Sequence, residues 1–68
     1  MIRCHLGRLM GERKLKVADV ARLTGMHRSS VNKLYRETAQ KVNVQDIERL
    51  CRLFECQVGE LFEYRNEP

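Results

Sequence analysis

Apolar side chains recur at helical spacing in five separate stretches of this 68-residue chain, and no other period competes with them. Ile2, Leu6, Leu9 and Met10 form one stripe, Val17, Val20, Ala21 and Thr24 a second, and Val31, Leu34 and Tyr35 a third. Val44, Ile47, Leu50, Cys51 and Phe54 form a fourth, and Val58, Leu61 and Phe62 a short fifth. Steps of three and four residues put such side chains on one face of an α-helix. No alternation of period two lasts long enough for a sheet, and the single proline is Pro68. The spacing predicts an all-α fold with helices over residues 2–13, 17–24, 28–36, 44–54 and 58–63. Their short connections force neighbouring helices to cross steeply around one core.

Size sets the next bound. A chain this short allows one small domain, and a domain of about 60 residues hides only about 60% of its unfolded surface. The core is thin, so a deep catalytic cleft is not expected. Ser29, Ser30 and His27 are sequence neighbours, but no acid or cleft completes a catalytic set. The expectation is a non-enzyme. The longest run free of Asp, Glu, Lys and Arg is Leu23 to His27, whereas a bilayer span needs about 20 apolar residues. Neither a membrane span nor a secretory signal is expected, and the cytoplasm is the expected compartment. The three cysteines, Cys4, Cys51 and Cys56, make a poor disulfide framework and read as small buried apolar residues. A zinc or redox site built from them with His5 is disfavoured. The step from Cys51 to Cys56 is wider than usual paired zinc-ligand spacing, and Cys4 and His5 on a helix would point about 100° apart. No metal or other cofactor is expected.

The formal net charge of +4 conceals a division. Residues 1–41 hold ten Lys and Arg against three acids, or +7, while residues 42–68 hold three bases against six acids, or −3. Solvation of a small domain explains the charge content but not its segregation. A basic face for a polyanion and a separate face with another task explain both.

The stretch from Val17 to Arg36, VADVARLTGMHRSSVNKLYR, has the parts two helices need to join through a tight turn. Ala21 stands where the helices pack closest. Gly25 ends the first helix in a left-handed conformation at little steric cost. Met26 tucks under the turn. Val31 and Leu34 face back onto the first helix. This combination describes a helix-turn-helix. With Val31, Leu34 and Tyr35 on the inner face of helix 28–36, Arg28, Ser29, Asn32, Lys33 and Arg36 are left outward, with no acid before Glu37. Arg28 or Lys33 can donate to guanine O6 and N7, Asn32 can pair with adenine, and Ser29 is small enough for close approach. A plain solvated helix face usually mixes in acids.

These residues resemble the helix-turn-helix of the Cro and phage-repressor type, also called the XRE or lambda-repressor-like family. The resemblance spans nearly the whole chain. RLMGERKLK, residues 8–16, looks like the family's first helix and its exit, and DIERLCRLFECQVGELF, residues 46–62, like its fourth and fifth helices. Ala21, Gly25, Val31, Leu34, Ile47, Leu50, Leu53, Val58 and Leu61 occur in the family's order. The resemblance implies a compact five-helix DNA-binding domain over residues 1–63, followed by a short polar tail over 64–68. It also implies that the second motif helix lies in the major groove, with His27, Arg28, Ser29, Asn32, Lys33 and Arg36 facing it.

Backbone contacts are expected from Arg13, Lys16, Arg22, His27 and Lys41, while Arg49 and Arg52 read as solvated or ion-paired. Asn43 can cap helix 44–54 beside Lys41, which would help that helix start meet a phosphate. The chain departs from the family at three places. Lys14 stands where Gly often follows the first helix. Lys16 and Val17 replace the frequent Thr or Ser and then Gln, which puts the phosphate contact of that Gln in doubt. His27 replaces Ser or Thr; it can cap weakly when neutral, meet a phosphate when protonated, or do neither. Lys16 is a poor cap and its charge opposes the helix dipole. A rule broken locally often marks function, so Lys16 is read as giving up helix stability for a phosphate contact.

The family usually binds two half-sites as a homodimer. The acidic C-terminal part, with Phe54, Val58, Leu61, Phe62 and Tyr64, is the expected interface, unless all of these but Tyr64 are core residues. The dimer can form on the DNA itself. The expected function is sequence-specific binding of an inverted-repeat operator in double-stranded DNA, regulating transcription, most simply as a repressor. Two alternatives remain: an antitoxin whose acidic half binds a protein toxin and whose DNA binding is autoregulatory, and a protein-interaction or RNA-binding module on the same scaffold.

Overall fold

A computed structural model describes residues 1–66. Five helices follow in order, framed by two short strands: β1 (Ile2–Cys4), α1 (Leu6–Arg13), α2 (Val17–Thr24), α3 (Arg28–Tyr35), α4 (Val44–Phe54), α5 (Val58–Leu61) and β2 (Phe62–Tyr64). The core draws on every helix: Leu6, Leu9 and Met10 of α1, Val20 and Ala21 of α2, Val31 and Leu34 of α3, Leu50 and Phe54 of α4, and Leu61 of α5 are buried. Met26, in the α2–α3 turn, is buried with them.

The small sheet corrects the expected helix ends. Ile2 does not belong to the first helix, and the fifth helix does not reach residue 63. Instead β1 and β2 pair antiparallel, with Ile2 opposite Tyr64, Arg3 opposite Glu63 and Cys4 opposite Phe62. The ladder continues past both ends. The His5 N–H donates to the Leu61 carbonyl at 2.8 Å, and the Arg65 N–H to the Met1 carbonyl at 2.8 Å. A strand of three residues is too short to display a period, and its partner lies at the far end of the sequence. Tyr64 and Arg65, expected in the polar tail, therefore join this ladder; residues 67 and 68 of that tail lie outside the described residues.

Two other stripe positions lie outside the core: Val44, expected within it, and Val58, for which core and interface both stood open. Val44 is 78% exposed and Val58 53% exposed, although both fit the helical period. Val44 and Val58 open their helices, so each stands at the rim of the core rather than under the next element. The cysteines are half-buried rather than buried.

Among the described residues, four helices are followed by a residue in the left-handed region: Lys14 at φ 56°, Gly25 at 78°, Glu37, two residues past the end of α3, at 59°, and Glu55 at 51°. Only one of the four is glycine. A side chain in this region costs about 1–2 kcal/mol. Lys14 is exposed and closes α1 through its N–H to the Gly11 carbonyl at 3.2 Å. Lys14→Gly keeps that bond and removes the strain, while loosening the unfolded chain. A net gain of about 0.5–1 kcal/mol is expected, read as a melting point about 4 °C higher by circular dichroism. An unchanged or lower melting point would show that the left-handed turn carries no such strain.

Candidate nucleic-acid interface

The turn between α2 and α3 is built by short-range hydrogen bonds. The Gly25 N–H donates to the Ala21 carbonyl at 2.9 Å. The Thr24 hydroxyl donates to the Val20 carbonyl at 2.6 Å and accepts from the Met26 N–H at 3.2 Å. The chain thus turns from α2 into α3 within three residues, and buried Ala21 lets α3 approach. With Val31 and Leu34 turned inward, the opposite face of α3 is fixed outward.

That outer face carries Arg28, Ser29, Lys33 and Arg36, all exposed, and half-buried Asn32. The Arg36 Nε donates to Asn32 Oδ1 at 3.3 Å, so these two side chains stand side by side along one ridge. Among the described residues, Arg28, Lys33, Lys16 and Lys41 form no ion pair. The contrast with α4 is direct: Arg49 is bound to Asp46 at 3.1 Å and Arg52 to Glu48 at 2.6 Å. Lys33 and Lys41 border one hollow, together with Asn43. Asn43 caps α4 as the sequence suggests, its Oδ1 accepting from the Gln45 N–H at 2.8 Å.

Other expected contacts fall differently. Arg13 is turned to the end of α4, donating to the Leu53 and Phe54 carbonyls at 3.0 Å each and lying 5.8 Å from the Phe54 ring centre. There it satisfies carbonyls left free by the helix end. Arg22 is exposed, with Asp19 at 3.6 Å. His27 precedes α3 in an extended conformation, is exposed and makes no capping hydrogen bond through its side chain. Lys16 supplies no cap acceptor either; Asp19 fills half the role, its Oδ2 accepting the Lys16 N–H at 2.9 Å. That bond, with Arg22 nearby, holds the Asp19 carboxyl below its usual range. Tyr35 is not on the inner face: it is 48% exposed on the flank of α3.

Glu37 has a role that sequence reading passed over. Its carboxylate accepts from Arg3 twice, at 2.8 and 2.9 Å, and from the Cys4 N–H at 3.0 Å. One side chain therefore ties the segment after α3 to strand β1 and closes that strand's outer edge. The only visible signal was an acid standing immediately after a basic helix. The Arg3 guanidinium, above all, and the Cys4 N–H hold the Glu37 carboxyl down at about 2. Its ionised form is favoured by the fold, so its contribution is complete above the ordinary carboxylate range and lost as pH falls toward 2. Between pH 5 and pH 2.5 the wild-type melting point should fall more steeply than that of Glu37→Gln. Parallel melting curves on circular dichroism check this, and equal slopes would remove Glu37 from the acid response.

Comparison with known proteins bears on this geometry. A family model described as the Cro/C1-type helix-turn-helix DNA-binding domain matches residues 5–67. The chain belongs to this family. This Cro/C1-type domain is 25% identical over 59 residues to an uncharacterised HTH-type transcriptional regulator, YozG, of Bacillus subtilis (strain 168), covering 87% of this chain and 70% of the relative. A solved transcriptional regulator from Listeria innocua matches its fold with a TM-score of 0.73 at 23% identity, over 97% of this chain. The chain spans 64% of the length of that Listeria protein. The five-helix Cro/C1-type fold is thus shared, with the β1–β2 sheet as a minor addition. Among the described residues, no helix is long and apolar enough to cross a membrane.

Proposed function

We propose that this Cro/C1-type domain is a transcriptional regulator that binds double-stranded DNA as a homodimer, with α3 in the major groove of each half-site. The observation that carries the reading is the row of unpaired cations on α3, beside an α4 whose arginines are neutralised. Left unpaired, such charges raise local potential and attract a polyanion. In this reading Arg28, Ser29, Asn32, Lys33 and Arg36 meet base edges, and Lys16, Arg22, His27 and Lys41 meet the backbone. Arg13 is assigned to the end of α4 instead. Repression follows most simply, because a bound dimer occludes the promoter.

An exposed apolar hollow supports the two-fold assembly. Ile2, 62% exposed, and Val58 line it with Val42, Ile47 and Phe62, and Lys41 stands at its border. The test uses the DNA upstream of the protein's own gene. An inverted repeat there should be shifted in a gel by the purified protein. If the dimer neutralises about six phosphates or more, log affinity should fall with log salt at a slope near −5 or steeper. A slope near zero rejects the reading.

A further inference from the structure

α3 has two flanks beside its outward ridge. Lys33 and Tyr35 lie about 160° apart around the helix, with Arg28, Asn32 and Arg36 on the arc between them. On one flank Lys33 shares a hollow with Lys41. On the other, Tyr35 shares a separate hollow with Lys16 and Val17, at the start of α2. The walls of a major groove are two phosphodiester strands. A helix seated in it turns one flank, with the hollow beside that flank, to each wall.

The Tyr35 ring is held in place by α1. It lies over Gly7, where a Cβ would come within 3.3 Å of Cε1. The absence of a side chain at Gly7 gives the ring its seat. The hydroxyl, by contrast, has no hydrogen-bond partner among the described residues, and neither does the Lys16 ammonium. A fixed phenol with a free donor, beside an ammonium that makes no hydrogen bond within the protein and only a longer-range attraction to Asp19, matches the needs of an anionic oxygen. Tyrosine hydroxyls are among the usual donors to DNA phosphates.

We propose that the Tyr35 hydroxyl and the Lys16 ammonium together hold one backbone phosphate of the DNA strand on the α1–α2 side of the recognition helix. The hydroxyl donates to a non-bridging oxygen, and the ammonium supplies the charge. The inference rests on the DNA-binding reading above and deepens it. It makes Tyr35 a residue that sets how α3 is oriented in the groove, without reading sequence. It also gives the poorly capping Lys16 its reason.

Because a phosphate contact is indifferent to sequence, a short mixed-sequence duplex serves as the probe, read by fluorescence anisotropy over a salt series. Tyr35→Phe keeps the ring on Gly7 and removes only the hydroxyl; affinity should fall about tenfold. The salt slope should not change, since a neutral donor releases no counterion. Lys16→Ser adds a helix cap, so the fold is not weakened, yet affinity should fall and the slope flatten by about 1 per domain. The double variant should lose less than the product of the two single losses, because both side chains serve one phosphate. Wild-type affinity in Tyr35→Phe, or losses that simply multiply, would overturn the proposal while leaving DNA binding intact. A wild-type protein without salt-dependent affinity for any duplex would remove the DNA-binding reading itself.

Discussion

Leu50→Ala is expected to remove most of this domain's stability. Leu50 is fully buried at the centre of α4, where α4 packs between α2 and α5. Truncation loses the transfer free energy of three carbons and leaves a cavity, a cost of about 2–5 kcal/mol. At about 0.05–0.15 kcal/mol per residue, a chain of this size holds only about 3–10 kcal/mol in total. Val44 supplies the control on the same helix. It fits the same apolar stripe but is exposed, so Val44→Ala should change stability by no more than about 0.5 kcal/mol. Urea unfolding followed by circular dichroism compares the two. Equal losses, or a loss below about 1 kcal/mol for Leu50→Ala, would mean that the stripe does not divide into core and rim as described.

That division marks how far the sequence could be read. Helical period locates α2, α3 and α4 because each exceeds two turns and presents a full apolar face. It cannot say which end of a stripe lies under a neighbour, and so Val44 read as core while Val58 stayed open between core and interface. Tyr35 misled for the same reason: one step from Leu34 around the helix, it lies at the edge of the buried arc, with its ring over Gly7 of α1. The strands were invisible because three residues carry no period and their pairing joins the two ends of the chain. The turn was legible, since Gly25, Ala21 and Met26 each meet a local demand. The helix ends were not, because Lys14, Glu37 and Glu55 hold conformations that usually announce themselves as glycine.

The candidate interface divides in a similar way. Outward residues of α3 followed from subtraction once Val31 and Leu34 were placed inside. Charge alone could not separate a cation that meets DNA from one that completes the fold. Arg13 and Lys16 are close in sequence and alike in charge, yet Arg13 is spent on two carbonyls of α4 and Lys16 is not. The destination of Arg13 depends on where α4 ends in space, and the pairing of Glu37 with Arg3 depends on the strand beside it. Both are tertiary facts with no local signature.

Replacing both Arg28 and Lys33 by Gln should abolish selection of the operator while leaving the protein folded. Arg28 opens α3 and Lys33 is in its last turn. Removing a cation from the helix start relieves an unfavourable interaction with the helix dipole, and removing one from the end costs a comparable few tenths of a kcal/mol, so the two nearly cancel. Neither side chain is paired within the protein. Loss of binding in this variant therefore cannot be a loss of fold, which a melting curve checks directly. Each base contact of this kind discriminates by about 1–3 kcal/mol, so two contacts give at least about 30-fold per half-site. A two-fold dimer carries four such side chains, and their combined loss should bring operator affinity down to that for mixed-sequence DNA. The decisive measurement is the ratio of the two affinities at one salt concentration, not the operator affinity alone. If both affinities fall together and their ratio survives, Arg28 and Lys33 meet only phosphate, and α3 does not read bases through them.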